Sequence, residues 1–149
     1  MRAVVQRVRK ASVAVGGVEI AEIGSGLLVL VGISRQDTRE DLEWMAKKIV
    51  ELRIFDDSDG RLNLSLLETG GELLLVSQFT LYGDCRKGRR PSYTEAAAPA
   101  EAQKLYGEFV EIAKRWLPSV RSGQFQAMMD VSLTNAGPVT LILDSRRKD

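Results

Sequence analysis

Three apolar segments separated by glycine turns constrain this chain more than any other feature. Residues 2–15, with Val4, Val5, Val8, Val13 and Val15, read as a strand long enough to bend. Gly16-Gly17 is a hairpin-type turn into Val18–Ile23, and Gly24-Ser25-Gly26 turns again into the apolar run 27–33. Consecutive strands joined by tight turns specify an antiparallel meander. That run is far too short to cross a bilayer, so no membrane partner is expected.

Asp37-Thr38-Arg39-Glu40 carries an N-cap residue followed three positions later by Glu. Leu42, Met45, Ala46, Ile49 and Val50 then fall at helical spacing, which predicts a helix with one buried face. Residues 52–55 and 61–66 alternate as strands around the acidic turn Asp56-Asp57-Ser58-Asp59-Gly60, which lacks the later Glu of a calcium loop. Pro99 suits the first turn of a second helix, with an inward stripe of Ala102, Leu105, Phe109, Ile112 and Trp116, and Pro118 ends it. Two strands, about 124–134 and 138–144, and a basic tail Arg146-Arg147-Lys148 close the chain. The reading is a single domain over 1–149 of α/β class, α+β in type. It consists of a mostly antiparallel, barrel-like β-sheet with two packed helices.

The stretch Leu73-Leu74-Leu75-Val76-Ser77-Gln78-Phe79-Thr80-Leu81 draws the functional argument. Its four consecutive apolar residues suit a strand covered on both faces. Ser77, Gln78 and Thr80 then place two hydroxyls and an amide at its end, where a pocket can form. An ordinary core strand whose Ser and Thr bond the backbone is the plain alternative. Beyond it, Arg86, Lys87, Arg89 and Arg90 crowd a loop flanked by Tyr82 and Tyr93, suited to phosphates and base stacking or simply to solvent. Asn135-Ala136-Gly137-Pro138-Val139-Thr140 is the other notable stretch: Pro138 fixes its own φ and supplies no N–H, which suits a rigid wall or a plain turn.

Composition removes several chemistries. There is no histidine, so Ser-His-Asp and Cys-His catalysis and His-ligated metal sites are excluded, and the single cysteine, Cys85, cannot build a thiolate zinc site. No metal and no cofactor is expected. The lone thiol and the absence of a signal-peptide pattern predict a cytoplasmic location. With 21 basic and 20 acidic residues the net charge is only +1, so any contact with nucleic acid must rest on local clustering.

In this order, Met1-Arg2-Ala3-Val4-Val5-Gln6-Arg7-Val8, Leu52–Phe55 with Asn63-Leu64-Ser65, Val76–Leu81, Lys87–Ser92 and Asn135–Thr140 resemble the D-aminoacyl-tRNA deacylase family of the bacterial and eukaryotic type. The blocks span essentially the whole chain. The resemblance implies a homodimeric hydrolase that cleaves the ester between a D-amino acid and the terminal adenosine of tRNA, with active sites at the subunit interface. Ser77, Gln78, Phe79 and Thr80 would line the aminoacyl-adenosine pocket, and Gly137 and Pro138, joined in cis, would form the chirality filter in the partner's site. Arg86, Lys87, Arg89 and Arg90 would grip the tRNA.

A backbone wall is indifferent to side-chain identity, so many D-amino acids and also glycine should be accepted. With no carboxylate or lysine in either block, water activation by the free ribose hydroxyl is favoured over a nucleophilic Thr80, with backbone N–H groups near Phe79 and Thr80 stabilising the oxyanion. Gln126 stands where the family pattern suggests glycine, and Ala136 where a polar or larger residue is common. The competing readings are a non-catalytic module that binds the tRNA 3′ end and a related editing deacylase with another mischarged substrate.

Overall fold

In a computed structural model, residues 1–147 are described. Lys148, part of the basic tail, lies outside them. The three N-terminal strands form, but not as the expected meander: β1 (Arg2–Val15) lies between β2 (Val18–Ile23) and β3 (Gly26–Gly32) and pairs antiparallel with each, so Gly24-Ser25 carries the chain onward along β1 without reversing it. β1 is long enough to serve two neighbours. Its first half pairs with β3 and its second half, from Ala11 on, pairs with β2, with a register shift inside that pairing between Val13 and Ala14.

After β3 the chain leaves the sheet through α1 (Arg39–Glu51) and the hairpin of β4 (Phe55–Asp56) and β5 (Leu62–Leu64). It returns through the short α2 (Leu66–Thr69) as β6 (Glu72–Ser77), which runs parallel to β3. So long a crossover permits a parallel neighbour, which a tight turn does not. α3 (Pro99–Trp116) precedes β7 (Arg121–Ser122), parallel to β6, and the last strand β8 (Met129–Asp144) lies antiparallel along β1. The order is β2-β1-β3-β6-β7, with β8 also on β1. β2 packs beside β6 and β7, so the mixed sheet nearly closes into a barrel.

The apolar runs divide their side chains between two cores. Leu27, Val29 and Val31 of β3 and Leu73 and Leu75 of β6 face the helices, where Phe109, Leu42, Met45 and Ile49 are buried. Leu28, Leu74 and Val76 join Val8, Ala11, Val13, Ala21 and Ile23 inside the barrel. Alternation along an extended chain explains why an unbroken apolar run is needed.

Several expectations are corrected. The α1 capping box is one residue later: Thr38 is the N-cap, and its N–H donates to Asp41 at 2.9 Å. Asp37 instead takes the Met1 amine and the Ser34 N–H, the latter at 2.7 Å. The strand foreseen at 52–55 shrinks to Phe55–Asp56, since α1 ends only at Glu51. Leu66 belongs to a third helix, α2, capped by Ser65, whose N–H donates to Glu68 at 2.7 Å. Ser65-Leu66-Leu67-Glu68 was a legible capping box. Trp116 is 38% exposed and lies off the α3 stripe, and the two closing strands are one, with 124–128 outside it. The acidic turn is the β4–β5 hairpin, with Asp57 accepting the Asp59 and Arg61 N–H groups at 2.9 and 3.0 Å.

Candidate active site

β6 stops pairing at Ser77, opposite Val31, and the chain turns on the Gln78 N–H, which donates to the Val31 carbonyl at 2.7 Å. Phe79–Tyr82 then form a 3-10 turn, so the anchor stretch is a strand only as far as Ser77. Gly32 explains the close fit. A Cβ there would lie 3.1 Å from both the Gln78 carbonyl and the Leu81 Cβ, and 3.2 Å from the Tyr82 ring. The first bond of the turn runs from the Leu81 N–H to the Gln78 carbonyl at 3.2 Å. The N–H groups of Phe79 and Thr80 precede that bond and have no partner within the turn, as at any helical start. Both residues are exposed, whereas Ser77 and Gln78 are half-buried. The Gln78 amide donates to the Thr80 hydroxyl. Phe79 meets Tyr93 edge-on with ring centroids 5.1 Å apart.

Beneath the turn, Arg2 reaches up from β1. It donates to the Leu81 carbonyl at 3.1 Å and to Asp144 at 3.2 Å, and its guanidinium lies 4.6 Å from the Tyr82 ring centroid. Tyr82 is buried, and that burial, followed by the charges of Asp37 and Asp144, pushes its hydroxyl pKa well above the ordinary tyrosine value. It stays a neutral packing group.

The basic loop is a pinned excursion. Asp84 and Ser92 exchange backbone bonds at 2.7 and 2.9 Å, and Gly88 sits at positive φ between them. Arg86 folds back on Asp84 with two side-chain bonds of 2.9 and 2.7 Å. That hydrogen bonding holds the Asp84 carboxyl down to about 2. Lys87, Arg89 and Arg90 are exposed on the same loop.

The Gly137-Pro138 bond is cis and lies in an interruption of the β1–β8 ladder, between the pairs Val8–Asn135 and Gln6–Thr140. Asn135 braces it: its Oδ1 accepts the Val139 N–H at 2.8 Å, while its Nδ2 donates to the Val139 carbonyl and the Thr140 hydroxyl, both at 3.1 Å. Arg7 braces the other side, donating to the Ala136 carbonyl at 2.8 Å and the Ile54 carbonyl at 2.9 Å. Gly137 and Pro138 remain exposed.

Within the chain the two blocks lie apart. Ser77 pairs with Val31, Val31 with Ala3, and Ala3 with Leu143, so the turn lies three strands from β8 and beside its far end. Measured along the sheet, strand spacing and rise put the Gly-Pro pair on the order of 20 Å from Ser77.

Arg2, Arg7 and Asn135 as fastenings escaped the reading of the sequence. For the two arginines the signal available was a charge interrupting a half-buried valine strand. Gln126, singled out for standing in a glycine position, has φ +59, a left-handed conformation that glycine adopts more readily. Among the described residues no group of three or more acidic, cysteine or histidine side chains is gathered to hold a metal. The groove of about 630 Å3 lined by Trp44, Ile112 and Trp116 lies on the helical face, away from this chemistry.

The family profile for D-Tyr-tRNA(Tyr) deacylase matches residues 4–144. The chain belongs to this deacylase family. It is 58% identical to a D-aminoacyl-tRNA deacylase of Thermosipho africanus over 147 residues, covering 99% of each chain. It is 59% identical to one of Desulfatibacillum aliphaticivorans, covering 98% of this chain and all of the relative. A solved structure of a c-Myc DNA Unwinding Element Binding Protein superposes with TM-score 0.92 at 42% identity, over 97% of this chain and 98% of that one. The structure of a probable eukaryotic D-amino acid tRNA deacylase shares the fold, with TM-score 0.82 at 20% identity, over 95% and 97%. The family profile thus spans both the turn and the Gly-Pro pair. Among the described residues no helix is long and apolar enough to cross a membrane.

Proposed function

We propose that this member of the deacylase family hydrolyses the ester between a D-amino acid and the terminal adenosine of tRNA, as a homodimer, in the cytoplasm. The observation that carries the reading is the separation of two exposed, individually braced blocks. A Gly-Pro wall that cannot reach the turn of its own protomer can serve the turn of a second copy. The exposed Leu133 and Ile142 on β8 offer apolar surface for that copy.

In this arrangement Ser77 and Gln78 orient the aminoacyl-adenosine, and the open N–H groups of Phe79 and Thr80 receive the oxyanion as the ester carbon becomes tetrahedral. No histidine, carboxylate or lysine stands in the turn, so the ribose 2′-hydroxyl of the substrate assists the attacking water. Gly137 and Pro138 of one protomer wall the other's pocket on the side where an L side chain would project. Glycine, having no side chain, passes. Lys87, Arg89 and Arg90 hold phosphates of the single-stranded acceptor 3′ end, and Arg86 shapes their loop.

Release of amino acid from matched D-tyrosyl-tRNA and L-tyrosyl-tRNA tests the proposal. Turnover of D alone supports it, and cleavage of L moves the wall elsewhere. Loss of turnover on a 2′-deoxy terminal adenosine supports the substrate-assisted route, and full activity of Thr80→Ala removes Thr80 as a nucleophile. The relation to a structure named for binding a DNA element favours a second reading, a nucleic-acid-binding module. Binding of both tRNAs without turnover of either would establish it.

A further inference from the structure

We infer that Arg2 is a positioning residue for the deacylation site, acting through the 3-10 turn and not on the substrate; this deepens the proposed function and rests on it. A turn of four residues has few bonds of its own, so its orientation must be set from outside. Two fastenings come from β3: the Val31 carbonyl takes the Gln78 N–H, and Gly32 lets the turn lie close. Neither holds the far end. Arg2 does, by donating to the Leu81 carbonyl while its guanidinium stacks on Tyr82.

The other end of that fastening is equally fixed. Asp144 accepts the Arg2 Nε–H at 3.2 Å and the Arg146 N–H at 3.0 Å, and Arg2 and Asp144 are directly paired in the β1–β8 ladder. The Arg2 side chain is 42% exposed, so it fills no core space that a shorter side chain would empty. One planar fork stacks on a ring, donates to a carbonyl and pairs with a carboxylate, a combination that lysine cannot reproduce. The same ladder carries the Gly-Pro wall, so Arg2 sets Phe79 and Thr80 in the frame to which the wall also belongs.

The experiment compares the wild-type chain with Arg2→Met and Arg2→Lys on D-tyrosyl-tRNA. The methionine keeps an unbranched apolar stem but loses every donor. The expected result is a kcat lower by about 10- to 100-fold in Arg2→Met, the scale of a small misplacement of reacting groups, with KM nearly unchanged and partial recovery in Arg2→Lys. Unchanged kcat per folded molecule, or a change in KM alone, overturns the inference. Amide exchange supplies a readout that needs no substrate. The N–H groups of Leu81 and Gly83 should exchange about tenfold faster in Arg2→Met while those of β6 keep their protection. Unaltered exchange at Leu81 and Gly83 overturns the positioning role. If the wild type leaves D-tyrosyl-tRNA uncleaved while exchange still rises in Arg2→Met, the proposed function falls and the positioning of the turn stands.

Discussion

The guanidinium of Arg7 donates to the carbonyl oxygen of Ala136 at 2.8 Å, joining residues 129 positions apart in sequence. The residue before Gly137 is thereby held by a side chain from β1, and a second bond to Ile54 ties the same guanidinium to the segment after α1. Arg7→Ala removes both bonds and leaves two partly buried carbonyls without that donor. The expected cost is about 1–3 kcal/mol of stability. The ratio of kcat/KM for D- over L-tyrosyl-tRNA should fall as the wall loosens. A ratio equal to wild type in a folded variant would detach Arg7 from the filter.

Gln126 offers a test of backbone conformation alone. Its φ of +59 places a Cβ where left-handed geometry costs an L-residue roughly 1–2 kcal/mol, offset in part by the greater freedom of glycine in the unfolded chain. Gln126→Gly should raise the denaturation midpoint by about 0.5–1 kcal/mol in stability, and Gln126→Val should lower it. A destabilised glycine variant would show that the Gln126 side chain contributes a contact worth more than the backbone penalty.

Alkaline pH should weaken the fold through tyrosine. Burial, partly offset by the hydrogen bond with Ser122, pushes the Tyr106 hydroxyl up to about 12, and Tyr82 moves in the same direction. Unfolded tyrosine ionises near 10. Between about pH 10 and 12 the folded chain therefore holds more protons, and stability must fall as pH rises through that window. Below it the contribution is fully present. Urea titrations at pH 8 and pH 11 should show the loss, and Tyr106→Phe should reduce it. The same variant should cost about 1 kcal/mol at neutral pH, because Tyr106 donates to the Leu75 carbonyl at 3.0 Å.

The basic loop separates two roles by salt. Lys87, Arg89 and Arg90 are exposed, whereas Arg86 is engaged with Asp84. Replacing the first three with alanine should raise KM for the tRNA and flatten the slope of log(kcat/KM) against log salt by about 2, at roughly 0.7 per phosphate contact on single-stranded nucleic acid. Arg86→Ala should change that slope by less. Equal slopes in the triple variant and the wild type would take the loop out of tRNA binding.

The reading of local pattern succeeded where a segment's structure follows from its own residues. The three N-terminal strands, α1, α3, the acidic hairpin and a polar strand end at Ser77 all rest on periodicity, caps and turn chemistry within a few positions. It failed where a neighbour distant in sequence decides. Trp116 falls at the right spacing for the α3 stripe, yet it sits at the last residue of that helix, beside the exposed groove. Gln124-Phe125-Gln126-Ala127 alternate as clearly as 129–134, and only pairing with β1 shows where β8 begins.

What the sequence determined by itself was the supply of parts: apolar runs that need two cores, a chemistry without histidine, and the motif blocks that mark the deacylase family. What only the tertiary structure decided was their assembly. The parallel placement of β6 on β3, the 3-10 turn at Phe79, the fastenings by Arg2 and Arg7, and the distance between turn and Gly-Pro wall are of this kind. Each depends on bonds or packing between residues far apart along the chain, and such contacts leave no period, cap or turn signal in the local sequence.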